Sequence, residues 1–442
     1  MVSSPSTKRL LDVLEFLVDE SVGVVHFVQE LRMEAGAPDF FHFIAQSCNT
    51  AAFSAHENSR LTGGASVTRQ GAMVKAIGEA VERYCSALYD PSELPLASYE
   101  GAPFRCVEPK EFALYSPTQY SSDDFPFVPF HTSIPVRWTP AIDCISETSC
   151  YIPAAFVYVP YRADQEQGER RIAQSISTGL ACHCSWEEAA ISAMCEVVER
   201  DAFTITWQAQ LPMPQIRTAS LSESNKDLVS RFEYTGSTVS LFHLAMDHRI
   251  PTIMAVLHST ARETPALVFS AACHPDPEQA IAKSLEELAL TRGFARHLMT
   301  SRPPFFAARR YTNVITRDDH VHLYCDHRNR RHADFLFATK RHIDADEIDN
   351  LATGHPKRDL AEIIEQVKSV GHRVLFCDLT SPDIKDIGLA VVRAVIPGFH
   401  RLTFGHSLRA LGGIRLWEVP RKLGYRSITP TSGDNPAPHP FP

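Results

Sequence analysis

Two short runs in the 442-residue chain set acidic and basic residues at a spacing that can do chemistry. The first is KAIGEAVERY, which contains Glu79, Glu82 and Arg83. The second is AMCEVVERD, which repeats the order with Glu196, Glu199 and Arg200. Residues three and four apart share one face of a helix, so each run presents two carboxylates and a guanidinium together. On an exposed helix such a carboxylate pair repels by only about a few tenths of a kcal/mol. Four carboxylates gathered in one cleft, however, call for a cation. Hard oxygen ligands suit Mg2+, which keeps part of its water shell and bridges to phosphate oxygens. Arg83 and Arg200 can pair with phosphate or orient the glutamates.

The elements that carry these runs read as two copies of one unit, a glycine turn followed by a helix. The copies are TGGASVTRQGAMVKAIGEAVERY at 62–84 and STGLACHCSWEEAAISAMCEVVERD at 177–201. In the first helix Ala76, Ile77, Ala80, Val81, Tyr84 and Leu88 form an apolar stripe, and Lys75 shares the polar face with the glutamates. In the second, Ser192 shares the face of Glu196, Glu199 and Arg200, and Ser185 with Glu188 predicts a capping box. A third segment, PDPEQAIAKSLEELALTRG at 275–293, predicts a helix over about 276–298. Asp276 is its expected N-cap, Pro277 its first residue and Gln279 the partner in a capping box. This helix adds Ser284, Glu287 and Arg292, which gain meaning only beside the other two runs.

From about 91 to 170, prolines and short apolar runs predict strands and loops. Further strands are expected at STVSLFHLAM, PTIMAVLHS, HRVLFCDLT and GLAVVRAVIPG, and HRNRRH at 327–332 reads as a solvated loop. Helices and strands alternate loosely, which predicts a mixed α/β (α+β) fold without a simple βαβ rhythm.

Composition removes several function classes. Hydrophobic residues make up 44% and charged residues 21%, as in ordinary globular proteins. A net charge of -9, from 43 basic and 52 acidic residues, argues against a general nucleic-acid binder. Charges interrupt the N-terminal apolar positions, so no signal peptide is read, and no apolar run is long enough for a membrane span. The 11 cysteines are scattered without a CxxC pair, which fits reduced thiols in a cytoplasmic protein better than a zinc ribbon. No GxxxxGK[ST], no GxGxxG after a strand, no GxSxG and no HExxH is present. A nucleotide would therefore be held through carboxylate-bound Mg2+ and arginines rather than by a phosphate-cradling loop.

The chain closes on NPAPHPFP, residues 435–442, with four alternating prolines. Such a rod stays extended, and at about 3.1 Å per residue its last dozen residues could span about 35–40 Å, enough to reach a central cleft.

Taken in order, the three helical segments resemble the YcaO family over roughly residues 60–420. The terminal PxPxP resembles the azoline-forming branch, the D protein of thiazole/oxazole-modified microcin cyclodehydratases. The resemblance implies a YcaO-type fold in which the repeated ExxER helices surround a cleft for ATP and Mg2+. Carried over by motif, Glu79, Glu82, Glu196 and Glu199 are expected to hold the metal. Ser66, Arg83, Thr178, Ser192, Arg200, Glu287 and Arg292 are expected at or near the nucleotide. Pro438, His439, Pro440, Phe441 and Pro442 are expected to reach the chemistry. Lys75 stands where many members have Ser, and Leu290 where Gln is common, which puts individual nucleotide contacts in question.

The domain expectation is a lead-in segment at 1–60, a catalytic ATP-binding domain at 61–430 and a proline-rich tail at 431–442. The implied reaction is cyclodehydration of Cys, Ser or Thr in a ribosomal precursor peptide, with phosphorylation of the backbone amide oxygen. Implied partners are that peptide, a leader-binding protein resembling ubiquitin-activating enzymes, and a second copy of the chain. A flavin azoline dehydrogenase is a common companion of the family. Two other readings stand beside this one. The chain could carry out another YcaO modification, thioamide or amidine formation, or it could be a non-catalytic protein whose rod is docked by an SH3-like partner.

Overall fold

In the computed structural model, which describes residues 5–425 and 428–442, each of the three segments runs as a strand followed by a helix. Among the described residues five helices reach ten residues: α1 (Arg69–Ser86), α2 (Trp186–Gln208), α3 (Glu223–Glu233), α4 (Pro277–Ser301) and α5 (Pro356–Ser369). Strands β1 (Val25–Leu31), β2 (Phe41–Ser47) and β3 (Leu61–Ser66) form one antiparallel sheet. Next come β4 (Leu96–Ala97), β5 (Val136–Asp143), β6 (Thr148–Pro153) and β7 (Leu180–His183). A second sheet holds β8 (Gln215–Ile216), β9 (Thr238–His243), β10 (Thr252–His258), β11 (Leu267–Cys273) and β12 (His342–Ile343), in the order β11-β10-β9-β8-β12. Strands β13 (Leu375–Asp378) and β14 (Ala390–Val395) complete the third sheet, β4-β5-β13-β14-β7, with β6 paired to β5.

Local chemistry explains the three helix starts. Thr68 Oγ1 accepts from Gly71 N–H at 3.1 Å, and Ser185 Oγ accepts from Glu188 N–H at 3.3 Å. Asp276 caps α4 as expected, with Pro277 in first position, but it accepts from Glu278 N–H at 3.0 Å, one residue short of the Gln279 capping box. The first expected glycine turn is also different. Gly63 and Gly64 lie inside β3. A Cβ on Gly64 would stand 2.3 Å from the Ala72 carbonyl oxygen, so the bare backbone is what lets α1 lie on its own strand. Gly179 is a true turn, with φ +89°. A Cβ there would meet the Ala394 carbonyl oxygen at 2.4 Å. The basic run at 327–332 is not an open loop but a 3-10 helix, His327–Ala333, capped by Asp326.

The three strand–helix units lean on one another in a ring. Helix α1 packs on β2 and β3 and reaches β7. Helix α2 packs on β7 and β14 and reaches β11, while α4 packs on β10 and β11 and reaches β3. Strands β10 and β11 are buried almost throughout, which is why they read as continuous apolar runs. The cysteines form no disulfide, and most are buried. No helix among the described residues is long and apolar enough to cross a membrane.

Immediately after Arg200, the fully buried Asp201 locks α2 to distant chain. It accepts from His400 N–H at 2.8 Å and from Arg415 Nη2 at 2.8 Å, and Arg415 Nη2 also reaches Asp247 at 2.9 Å. Removing one member of a buried charge group leaves the others uncompensated, at a cost of about 3–5 kcal/mol. Arg415→Met should lower unfolding free energy by about that amount in denaturant titrations, and Lys422→Met, at the exposed end of the group, by about 1 kcal/mol or less. Equal losses in the two variants would contradict the lock.

Candidate functional site

Glu79 and Glu196 play matching local roles. Gly63 N–H donates to Glu79 Oε2 at 3.3 Å, and Gly179 N–H donates to Glu196 Oε2 at 2.9 Å. Each glutamate also holds the arginine four residues on, Arg83 at 2.8 Å and Arg200 at 3.3 Å. Glu82 and Glu199 instead reach onward to the next unit. Cys182 N–H of β7 donates to Glu82 Oε1 at 2.9 Å, and Glu199 faces the Cys273 backbone of β11. The third helix closes the ring through Glu286, which accepts from the Ser66 hydroxyl at 2.6 Å and from Val67 N–H at 3.2 Å.

These carboxylates share one electrostatic neighbourhood. Burial pushes Glu82 up to about 8; Arg83 opposes the shift and Glu79 and Glu196 add to it. Burial pushes Glu199 up to about 8 as well, with Arg200 opposing and Glu196 and Glu287 adding. Charges from α1, α2 and α4 therefore act on each other. Lys75 bridges to Glu286 at 2.9 Å and to Glu287 at 3.5 Å. Lys283 has no carboxylate within ion-pair reach among the described residues, and burial and the Lys75 charge hold its pKa down. Ser192 Oγ stands 3.0 Å from His183 Nε2, and burial and then the Lys283 charge lower that imidazole to about 4.

Other expected residues have partners of their own. Arg292 pairs with Glu34 at 3.1 Å, beyond the end of β1. Ser284 is turned into the core, where its hydroxyl donates to the Ile281 carbonyl at 2.8 Å. Thr178 is buried and lines a cavity with Arg393 and Arg401.

The proline rod is threaded into the molecule. Asn435, Ala437, His439 and Phe441 are 2–5% exposed, and Pro438 and Pro440 are buried between them. Prolines bring carbonyls but no N–H groups, so the rod needs donors from its surroundings. Trp207 Nε1–H donates to the Ala437 carbonyl at 3.0 Å, Tyr324 O–H to Pro438 at 2.5 Å and His320 Nδ1–H to His439 at 2.7 Å. His439 Nε2–H donates to the Thr403 carbonyl at 2.9 Å. Burial holds the His439 ring neutral, so Nδ1 keeps a lone pair, and that atom has no partner among the described residues. The rod ends on Arg200, whose guanidinium lies 4.4 Å over the Phe441 ring and donates to the Pro442 main-chain oxygen at 3.4 Å. One arginine thus touches Glu196, Glu199 and the tail.

The donor set fits magnesium. It is made of hard oxygens, two of them on carboxylates short of counter-charge. No three acidic, imidazole or thiol groups among the described residues stand ready as a closed metal cage. Mg2+ does not need one, because it takes few protein ligands and fills its octahedron with water and phosphate oxygens.

The profile described as "YcaO cyclodehydratase, ATP-ad Mg2+-binding" matches residues 63–400. The chain belongs to the YcaO family. An uncharacterized protein of Methanothermobacter thermautotrophicus is 26% identical over 346 residues, covering 76% of this chain and 80% of that protein. A heterocyclase solved in complex with substrate and cofactor has a TM-score of 0.81 at 22% identity, over 99% of this chain and 57% of that one. The YcaO protein of Methanopyrus kandleri, bound with AMPPCP and Mg2+, has a TM-score of 0.64 at 20% identity, over 89% of this chain and 90% of that one. These likenesses show the YcaO α/β fold. This chain spans little more than half the length of the heterocyclase, at 57%.

Sequence reasoning toward a YcaO site passed over Lys283, Glu286 and His183. Lys283 and Glu287 are four apart on one helix face, a signal that could have been read. Glu286 faces the end of β3 only because α4 closes the ring, which local spacing does not show.

The raised carboxyl groups set a pH dependence. Glu82 and Glu199 titrate near 4.5 when unperturbed and near 8 in the fold, so between these limits the folded protein holds protons that the unfolded chain has lost. Their stabilisation is complete below about pH 4.5 and is lost as pH rises through about 8. Denaturation midpoints of the ligand-free protein should therefore fall between about pH 5 and about pH 8, and Glu82→Gln/Glu199→Gln should flatten the fall. Parallel slopes in the two proteins would contradict the assignment.

Proposed function

We propose that this YcaO chain catalyses ATP-dependent cyclodehydration of Cys, Ser or Thr residues in a ribosomally made precursor peptide. The products are azolines, formed by phosphorylation of the backbone amide oxygen. The observation that carries this reading is the buried proline rod ending on Arg200 of the second ExxER helix. A tail meant for an SH3-like partner would present its prolines at the surface. Here Pro438 and Pro440 are buried, and the Pro438 and His439 carbonyls are already bonded.

When bound, Mg-ATP supplies the phosphoryl group that turns a poor leaving group, the amide oxygen, into a good one. Glu79, Glu82, Glu196 and Glu199 would hold the metal. Its charge would replace the protons that burial keeps on Glu82 and Glu199. Arg83 and Arg200, with Ser66, Thr178, Ser192, Glu287 and Arg292, are the proposed nucleotide side of the site. Lys75 and Lys283 add positive charge toward the same cluster. Phe441 orients the Arg200 guanidinium by stacking beneath it. His439, fixed in its Nε2–H tautomer, offers Nδ1 as an acceptor for a substrate proton.

The proposed setting is cytoplasmic, with the chain acting as a homodimer. It would work beside a leader-binding protein resembling ubiquitin-activating enzymes and, downstream, a flavin azoline dehydrogenase.

Incubation of the chain with precursor, partner and Mg-ATP should remove one water from the peptide per ring, read by mass spectrometry. The loss should vanish when the Cys, Ser and Thr residues of the peptide are replaced. Exchange of oxygen for sulfur, or water loss that survives those replacements, would overturn the reading in favour of thioamide or amidine chemistry. One added residue after Pro442 should cut ring formation by about a hundredfold, the cost of a small misplacement of reacting groups, while nucleotide affinity changes by less than about threefold. Unchanged ring formation would remove the tail from the site.

A further inference from the structure

Arg393, on β14, is 1% exposed. Its Nε and Nη2 donate to the carbonyls of Phe156 at 3.0 Å and Ile176 at 2.8 Å. Its Nη1 has no partner among the described residues. Arg401 lies beside it, donating to the Gln174 carbonyl at 3.1 Å and resting 4.8 Å over the Phe156 ring. Both arginines line one small cavity of about 20 Å³, together with Thr178 and the rings of Phe112, Phe156 and Phe399. Among the described residues neither arginine has a carboxylate within ion-pair distance, and no acidic residue lines the cavity.

Two guanidinium groups in an apolar enclosure repel each other and keep their charge at a cost. Burial, and then the Arg401 charge, lowers Arg393 to about 9, with Glu196 opposing from beyond contact. Burial lowers Arg401 to about 10, opposed by Tyr115. A single anion between them would satisfy the spare donor and cancel the repulsion. Forked guanidinium donors with a nearby hydroxyl, here Thr178, suit the oxygens of phosphate and carboxylate. The cavity takes a small ion and not a nucleotide.

We infer that Arg393, Arg401 and Thr178 form a binding site for a small oxyanion of the phosphate class. Thr178 precedes Gly179, whose N–H donates to Glu196. Arg401 also lines a second cavity with Phe203, Thr204, Gln208 and His439, so an ion held by it neighbours the proline rod. The inference rests on these residues alone and not on the nucleotide reading.

The test is calorimetric titration of the full chain with inorganic phosphate, without nucleotide or peptide. Saturable binding is expected in the unmodified protein, weakened at least about tenfold in Arg401→Gln and in Arg393→Lys, and unchanged in Lys283→Gln. Arg393 also bonds two backbone carbonyls, so Arg401→Gln is the variant that keeps the test open if Arg393→Lys fails to fold. A parallel titration with acetate separates the two sources. Tighter Arg401-dependent binding of acetate keeps the site and makes its ligand a carboxylate. No saturable binding of either ion would overturn the inference. So would equal phosphate affinity in Arg401→Gln, or loss confined to Lys283→Gln, which would put the ion among the ExxER carboxylates instead.

Discussion

The rest of the structure depends on the burial of Glu82 and Glu199 at matching places on two helices. A carboxylate removed from water is costly unless it is protonated, paired or bonded. In this protein Glu82 receives one backbone N–H and Glu199 pairs with Arg200 at 3.2 Å, and the remaining deficit shows as a pKa near 8 for each. A site built this way favours a cation. If these carboxylates hold the metal as proposed, they would release their protons on binding it.

That constraint explains the ring of strand–helix units. The N–H groups that hold Glu82 and Glu286 come from the strand of the next unit, or from just past it, so these carboxylates are held only when the units close on one another. Close approach is bought at Gly64 and Gly179, where any side chain would strike backbone. The buried Asp201–Arg415 pair anchors the end of the ExxER motif in α2, and the rod packs against the next turns of that helix through Phe203 and Trp207. Arg200 is thereby fixed from both sides: glutamates on one, Phe441 on the other.

Much of this was legible in the sequence because it is written in local spacing. The ExxER repeats, the capping residues and the third helix follow from intervals of three and four residues. The mixed α/β fold follows from loose alternation of the elements. The rod was legible because alternating prolines favour an extended segment. What escaped was set by tertiary closure. Gly63 and Gly64 read as a turn but lie in a strand, since glycine serves both a bend and a tight helix approach. Ser284 sits on the same helix as Glu287 yet faces the core, and Arg292 finds Glu34 far away in the sequence. Arg393 and Arg401 carried no signal, because an unpaired charge becomes visible only when its surroundings are known.

The proposed chemistry requires α1 and α2 to serve one metal–nucleotide centre. A crystal structure of the full chain with Mg2+ and AMPPCP tests this most directly. It should show Mg2+ contacted, directly or through water, by glutamates of both ExxER helices, with Phe441 still against Arg200. Magnesium held by one helix alone, or a nucleotide seated away from Arg83 and Arg200, would contradict it.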